Sequence, residues 1–288
     1  MTRTPFGETF RFNVWDDEAG DGLGFTLADP AASRLDLEIA AVERPQVLAF
    51  APEVPNGGAM LVLAGGGYTQ LMLGKEGVEV ALWLNGLGYH AFVLAHRFPD
   101  AAGGPQAPVD DAIEAMRLIR ARAPDLGVDT GRVGVLGLSS GGHLAACLAA
   151  SYPDAWTAPA SAAPALSARP DALVVAYGPI STNAAGRAVV ADKPPLEPPE
   201  KQALYEALQP DAALMADPPP AFIVYAASDP VVPVENGLRL QRAYLDRGGH
   251  AELHVFADAP HGFALRTPDL PVGAWPALCA RWLEAVGV

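Results

Sequence analysis

The pentapeptide Gly137-Leu138-Ser139-Ser140-Gly141 sets one serine midway between two glycines. An apolar run, Val133–Leu136, leads into it, and a helical pattern continues from Gly142. A serine on a sharp strand-to-helix turn needs neighbours without Cβ atoms, because the flanking backbones close on one another there. Such a turn lifts the hydroxyl clear of a sheet and places it at a helix N-terminus, where developing negative charge is favoured. The chemistry that fits is nucleophilic attack by a hydroxyl. Ser140 is the rival hydroxyl. It has Leu138, not glycine, two residues before it, so its expected part is a backbone N–H offered to an oxyanion.

A serine needs a base to take its proton and a third group to steady that base. Pro260-His261-Gly262-Phe263 follows the apolar run His254–Phe256, and Ser228-Asp229-Pro230 follows Phe222–Tyr225. Both lie just past the end of a strand candidate, where an α/β sheet gathers its functional loops. The chain order Ser139, Asp229, His261 is the order of the hydrolase triad. In that scheme His261 removes the serine proton and Asp229 fixes the imidazole tautomer. Glu235 and Asp258 are rival acids, and an Asp-Pro pair also opens ordinary turns. A glycine run, Gly65-Gly66-Gly67-Tyr68, follows the strand candidate Met60–Leu63. No Lys-Ser or Lys-Thr follows it and no Gly-x-Gly-x-x-Gly spacing is present, so a phosphate loop is disfavoured. The alternatives are a plain flexible loop or a loop whose N–H groups face an oxyanion.

The other histidines read as structural. His250 and His254 are not set in a His-Glu-x-x-His helix, and His90 and His96 bracket a buried strand. His143, one turn past the serine, is expected to pack or to make a local hydrogen bond. Cys147 and Cys279 are the only cysteines, too few for a disulfide framework or a Cys-based metal site.

These residues must be held by a scaffold, and the pattern of the chain supplies one. Short apolar runs recur at Val47–Phe50, Met60–Leu63, Ala91–Ala95, Val133–Leu136, Leu173–Ala176, Phe222–Tyr225 and His254–Phe256, with a weaker one at Leu35–Ile39. Runs of this kind suit strands buried on both faces. Helical spacing fills the intervals at Val78–Leu87, Val109–Arg120, Leu144–Ala150 and Leu238–Leu245, and again near Leu278 to Leu283. Strand alternating with helix predicts a mostly parallel sheet. The rhythm breaks over Tyr152–Pro170 and over Ile180–Pro220. The second break is rich in proline pairs around one short helical piece, Glu200–Leu208. Proline strings lack ladder donors, so these stretches are expected as loops or a small lid.

The quoted segments resemble the α/β-hydrolase superfamily, and within it the bacterial esterase and acetyl-xylan-esterase-like branch. The carrying residues are Leu63–Tyr68, Lys75–Gly77 with Trp83–Tyr89, Arg132–Ala145, Asp229–Pro233 and Pro260–Phe263. The likeness extends over about residues 45 to 288 and departs at Ala64, where lipase-like relatives carry His and nearer ones often Pro. It implies an α/β-hydrolase fold with a mostly parallel eight-stranded sheet flanked by helices and a small Pro-rich lid insertion. The expected organisation is one domain over 1–288, with residues 1–45 as an N-terminal extension and 180–220 as the insertion. It implies Ser139 as nucleophile, Asp229 as acid and His261 as base, with Gly66, Gly67 and Ser140 as N–H donors to the oxyanion. Glu76 is expected to cap the following helix or to line the mouth. Tyr68, Tyr177 and Trp156 are the candidate pocket aromatics.

The expected activity is hydrolysis of short-chain acyl esters by a serine, acetyl esters of carbohydrate first, with no metal and no organic cofactor. A serine exopeptidase shares the residue order. A non-catalytic ligand-binding hydrolase fold is the third reading, disfavoured because all three triad residues are intact. Composition narrows partners. With 288 residues, half of them hydrophobic, whole-chain disorder is excluded. A formal charge of −14 repels nucleic acid and anionic membrane. No apolar run nears the ~20 residues a bilayer span needs. No signal-peptide core is present in Met1–Glu8, so a cytoplasmic location is expected. The oligomeric state is left open.

Overall fold

The computed structural model describes residues 5–15, 22–151, 161–185, 187 and 194–288. Its centre is an eight-stranded sheet. The strands are β1 (Phe10–Asn13), β4 (Gln46–Phe50), β5 (Ala59–Leu63), β6 (His90–Ala95), β7 (Val133–Leu138), β8 (Leu173–Ala176), β9 (Ala221–Ala226) and β10 (Ala251–Phe256), in the spatial order β1-β4-β6-β5-β7-β8-β9-β10. The six strands from β6 to β10 run parallel, while β4 is antiparallel to both β6 and β1. Every residue of β4 through β9 is buried, as continuous apolar runs require when helices cover both faces. At the edge, β10 has only exposed and half-buried positions.

The helices are α1 (Glu79–Gly86), α2 (Ala107–Arg122), α3 (Ser140–Ala149), α4 (Pro199–Ala207), α5 (Glu235–Asp246) and α6 (Trp275–Val286). Helix α3 packs on β7, β8 and α2, and α1 meets α6 through Trp83 and Trp275, whose rings lie 5.6 Å apart. One turn of π-helix, Leu73–Val78, precedes α1. Among the described residues no helix is long and apolar enough to cross a membrane.

The sheet has the expected eight strands, but the eighth is not the weak candidate Leu35–Ile39. Ser33 to Asp36 form a turn, closed by Asp36 N–H on the Ser33 carbonyl (2.8 Å) and by Ser33 Oγ–H on Asp36 Oδ2 (2.5 Å). Only Ile39 begins a strand, β3 (Ile39–Val42), which pairs with β2 (Phe25–Leu27) in a separate two-stranded sheet. The missing partner is β1, where Phe10, Arg11, Phe12 and Asn13 alternate in the period-2 manner of an edge strand. The first 45 residues are therefore more than an extension, since Phe6, Phe12, Phe25, Leu37 and Ile39 are part of the main core. The Pro-rich insertion is likewise anchored. Ile180, Leu204, Tyr205, Leu208 and Leu214 are buried, and Leu214 bridges to Ala150 at the end of α3.

Candidate active site

Five parallel strands, β5, β7, β8, β9 and β10, end toward one edge of the sheet, and each is followed there by a residue of the site. The serine comes after β7. Its backbone is left-handed, at φ 51° and ψ −125°, and it caps α3. Glycines make this turn possible. A Cβ on Gly137 would sit 2.1 Å from the Gly141 carbonyl oxygen, and one on Gly141 would sit 2.0 Å from that of Leu63. Neither can exist, so the two glycines are fixed by contact as well as by conformation. Ser139 remains partly accessible, whereas Ser140 is buried and its hydroxyl has no partner among the described residues. Exposure thus selects Ser139 over Ser140 as the hydroxyl able to meet a ligand.

Ser139 Oγ lies 2.9 Å from His261 Nε2, and His261 Nδ1 lies 2.8 Å from Asp229 Oδ2. With its proton on Nδ1, the imidazole donates to the carboxylate and accepts from the serine. The other oxygen, Asp229 Oδ1, accepts the amides of Val231 (2.8 Å) and Val232 (2.9 Å), so the Asp-Pro turn holds the carboxylate in place. The rival acids are engaged elsewhere. Asp258 accepts from Ser228 Oγ at 2.5 Å, and Glu235 opens α5.

The glycine loop after β5 presses directly on the serine. A Cβ on Gly65 would lie 2.6 Å from Ser139 Cβ, and one on Gly66, at φ 138°, 2.1 Å from the Gln70 carbonyl oxygen. Among the described residues the amides of Gly66, Gly67 and Ser140 donate to no acceptor. An N–H at the start of a helix and two on an adjoining glycine loop can together receive a developing oxyanion.

The candidate aromatics are placed differently from expectation. Tyr68 and Tyr177 are fully buried, so neither offers surface to a ligand. Tyr68 donates its hydroxyl to His143 Nδ1 (2.9 Å) and packs against Tyr205 and His96. Tyr177 follows β8 and stands edge-on to His261, centroids 5.2 Å apart. Aromatic side chains beside glycine-rich turns fill the space that glycine leaves, and here that space is core. Trp156 lies outside the described residues.

Two buried polar residues join the site in roles that the sequence did not suggest. Glu76 neither caps α1 nor lines the mouth. It sits in the π-turn, 3% exposed, and accepts the Gly65 amide on Oε2 (2.7 Å) and the Tyr177 hydroxyl on Oε1 (3.2 Å). Burial pushes its carboxyl up, against the opposing pull of the Gly65 amide, the Lys75 ammonium and the Tyr177 hydroxyl. His143 packs in the core as expected, but its hydrogen bonds are long-range rather than local. Its Nε2–H donates to the Leu208 carbonyl (2.9 Å) while Nδ1 accepts from Tyr68, which fixes the tautomer. Burial pushes this imidazole down to about 4, so it is neutral at ordinary pH. Cys147 lies beside it as a buried thiol whose pKa burial raises. The signals available for Glu76 were its place in the Lys75–Gly77 segment and its position eleven residues after Gly65.

A model of the BD-FAE family matches residues 58–244. The acetylxylan esterase of Xylanibacter ruminicola is 28% identical over 257 residues, covering 85% of this chain and 49% of that protein. The chain thus spans about half the length of that curated relative. An acetyl ester-xyloside bifunctional hydrolase from Caldicellulosiruptor lactoaceticus superposes with a TM-score of 0.73 at 29% identity over 97% of both chains. Esterase Est2 of Thermogutta terrifontis superposes with a TM-score of 0.70 at 22% identity, over 92% of this chain and 93% of that one, and supports the fold.

Proposed function

This chain belongs to the BD-FAE family, on the esterase branch of the α/β-hydrolases, and on that premise we propose that it is a serine ester hydrolase for short acyl esters, acetyl esters of carbohydrate first. The observation that carries the reading is the unbroken relay Ser139 Oγ to His261 Nε2 to Asp229, at 2.9 and 2.8 Å. These separations fall within the ~2.6–3.2 Å reach that a nucleophile and its base require.

His261 takes the proton of Ser139 as Oγ attacks the ester carbonyl carbon. The carbonyl π electrons move to oxygen, and the tetrahedral oxyanion is held by the amides of Gly66, Gly67 and Ser140. One such donor is worth ~10²–10³ in rate. The intermediate collapses as His261 returns the proton to the leaving alcohol. Water then attacks the acyl-serine with His261 again as base, which releases the acid and restores the serine. Asp229, held by two backbone amides, stabilises the imidazolium at both stages. Similarity to an acetylxylan esterase and to an acetyl ester-xyloside hydrolase supports an acetylated sugar as the ester.

Ser139→Ala is expected to lower turnover of p-nitrophenyl acetate by about 10⁴-fold or more without altering the far-ultraviolet circular dichroism. Full activity in that variant sinks the assignment. Across acetyl to octanoyl esters, kcat/KM is expected to fall, and equal rates along the series would remove the short-acyl claim. Release of acetate from acetylated xylo-oligosaccharides tests the alcohol side.

A further inference from the structure

We propose that Glu76 is a positioning residue that locks the oxyanion loop and the histidine loop into one rigid unit. The inference rests on the serine-hydrolase reading above. Its basis is a continuous chain of hydrogen bonds that passes behind the site. The Gly65 amide donates to Glu76 Oε2 at 2.7 Å. Tyr177 Oη–H donates to Glu76 Oε1 at 3.2 Å, and the Ala264 amide donates to Tyr177 Oη at 3.2 Å. Gly65 opens the loop that carries the amides of Gly66 and Gly67. Ala264 lies three residues past His261 and is fixed from its other side, its carbonyl accepting Trp275 Nε1–H at 2.7 Å. One carboxyl therefore joins the two loops whose separation sets whether the base and the oxyanion donors act on one bound ester.

Backbone strain shows why such a tie is needed. Five non-glycine residues among those described have positive φ: Tyr68, Ser139, Tyr177, Asp217 and Ala264. All but Asp217 belong to the site or its hydrogen-bond network. Tyr177 and Ala264, both at φ 42°, are two successive links of the chain that ends on Glu76. Residues held in such regions persist only where their surroundings over-determine them. The glycines confirm how close the fit is. A Cβ on Gly65 would meet Glu76 Oε2 at 2.6 Å, and one on Gly262 would lie 3.6 Å from Glu76 Oε1 and 3.3 Å from Lys75 Nζ. The π-turn explains how consecutive residues 75 and 76 both reach the histidine loop, since its wider turn brings both side chains toward Gly262. The hydrogen bonds of Glu76 go to Gly65 and Tyr177 and not to the serine or the imidazole, so they act on catalysis through the two loops.

The test compares Glu76→Ala, Glu76→Gln and Tyr177→Phe with the wild type on p-nitrophenyl acetate. Wild-type turnover, and its loss in Ser139→Ala, tests the hydrolase reading; the variants are scored only as ratios to the wild type. For Glu76→Ala, kcat is expected to fall 100-fold or more with KM changed less than threefold, because alignment is lost and substrate contact is not. Glu76→Gln, whose amide oxygen still accepts the Gly65 amide, is expected to recover at least a tenth of wild-type kcat. Tyr177→Phe, which is near-isosteric and removes the one hydroxyl that joins Glu76 Oε1 to the Ala264 amide, is expected to lower kcat about tenfold with KM again unchanged. If Glu76→Ala fails to fold, the Tyr177→Phe and Glu76→Gln results decide. The proposal is overturned if Tyr177→Phe keeps kcat within twofold of wild type, if Glu76→Gln loses 100-fold, or if KM rises in step with any fall in kcat.

Discussion

The glycine loop after β5 is held at its two ends by opposite chemistry. At its start, the Gly65 amide meets the carboxyl of Glu76, a buried acid whose pKa burial raises. At its end, the Tyr68 hydroxyl meets the imidazole of His143, a buried base whose pKa burial lowers to about 4. Both groups are driven toward neutrality by the same cause, desolvation of the charged form. They differ in what they fasten the loop to. Glu76 ties it through Tyr177 to the loop that carries His261. His143 ties it to Leu208, where the Pro-rich insertion comes down on α3, with the ring of Tyr205 of α4 packed at a tilt against the same imidazole at 4.6 Å. On the proposed reading, the acid end sets the alignment of the reacting groups and the base end anchors the insertion. Substitutions at the first should read out in kcat and at the second in stability.

The largest effect that would sharpen this division is His143→Ala. It leaves the Tyr68 hydroxyl and the Leu208 carbonyl buried without partners and opens a cavity, so a loss of ~3–5 kcal/mol in unfolding free energy is expected. Denaturant unfolding followed by fluorescence measures it, and a loss below 1 kcal/mol would break the comparison. Tyr68→Phe removes one hydroxyl and leaves only His143 Nδ1 unsatisfied. The expected cost is ~1–3 kcal/mol, with kcat lowered less than in Tyr177→Phe. The reverse ranking of the two tyrosines in kcat would mean that the His143 end, not the Glu76 end, sets alignment.

The smallest effect is a titration. The native imidazole of His143 is neutral above about pH 4, whereas in the unfolded chain it protonates near 6.5. Between those values the unfolded state binds a proton that the native state does not, so this group's contribution to stability declines as pH falls through that window. The imidazole carbon resonance of His143 should hold its neutral position from pH 8 to 5. A midpoint near 6.5 would show a solvated ring and a broken link to Tyr68.

Much of this site was legible in the chain because its requirements are local. The elbow is spelled by Gly137 and Gly141 on either side of Ser139, and the contacts that demand those glycines lie within a few residues or on the adjacent strand. Asp229 and His261 stood out because each comes just past an apolar strand run. The supporting groups were hidden by distance. Tyr177 is 101 residues from Glu76, and Tyr68 is 75 from His143, so no window of sequence holds either pair. The aromatics were read as pocket walls for the same reason, because burial is decided by the elements that arrive on top. Strand β1 escaped notice because two phenylalanines alternating with Arg11 and Asn13 make a faint pattern beside the solid apolar runs of the inner strands. The turn at Ser33–Asp36 was mistaken for a strand because Leu35 and Leu37 alternate just as convincingly.

The left-handed backbone at Ser139, with φ 51° and ψ −125°, carries a cost that falls on whichever copy of the chain keeps its serine. Glycine would relax there by ~1–3 kcal/mol, the range stored at such positions. A descendant released from its chemical duty would thus gain heat tolerance by surrendering that side chain. Retention of the serine over time is the mark of a lineage still selected for turnover rather than for endurance.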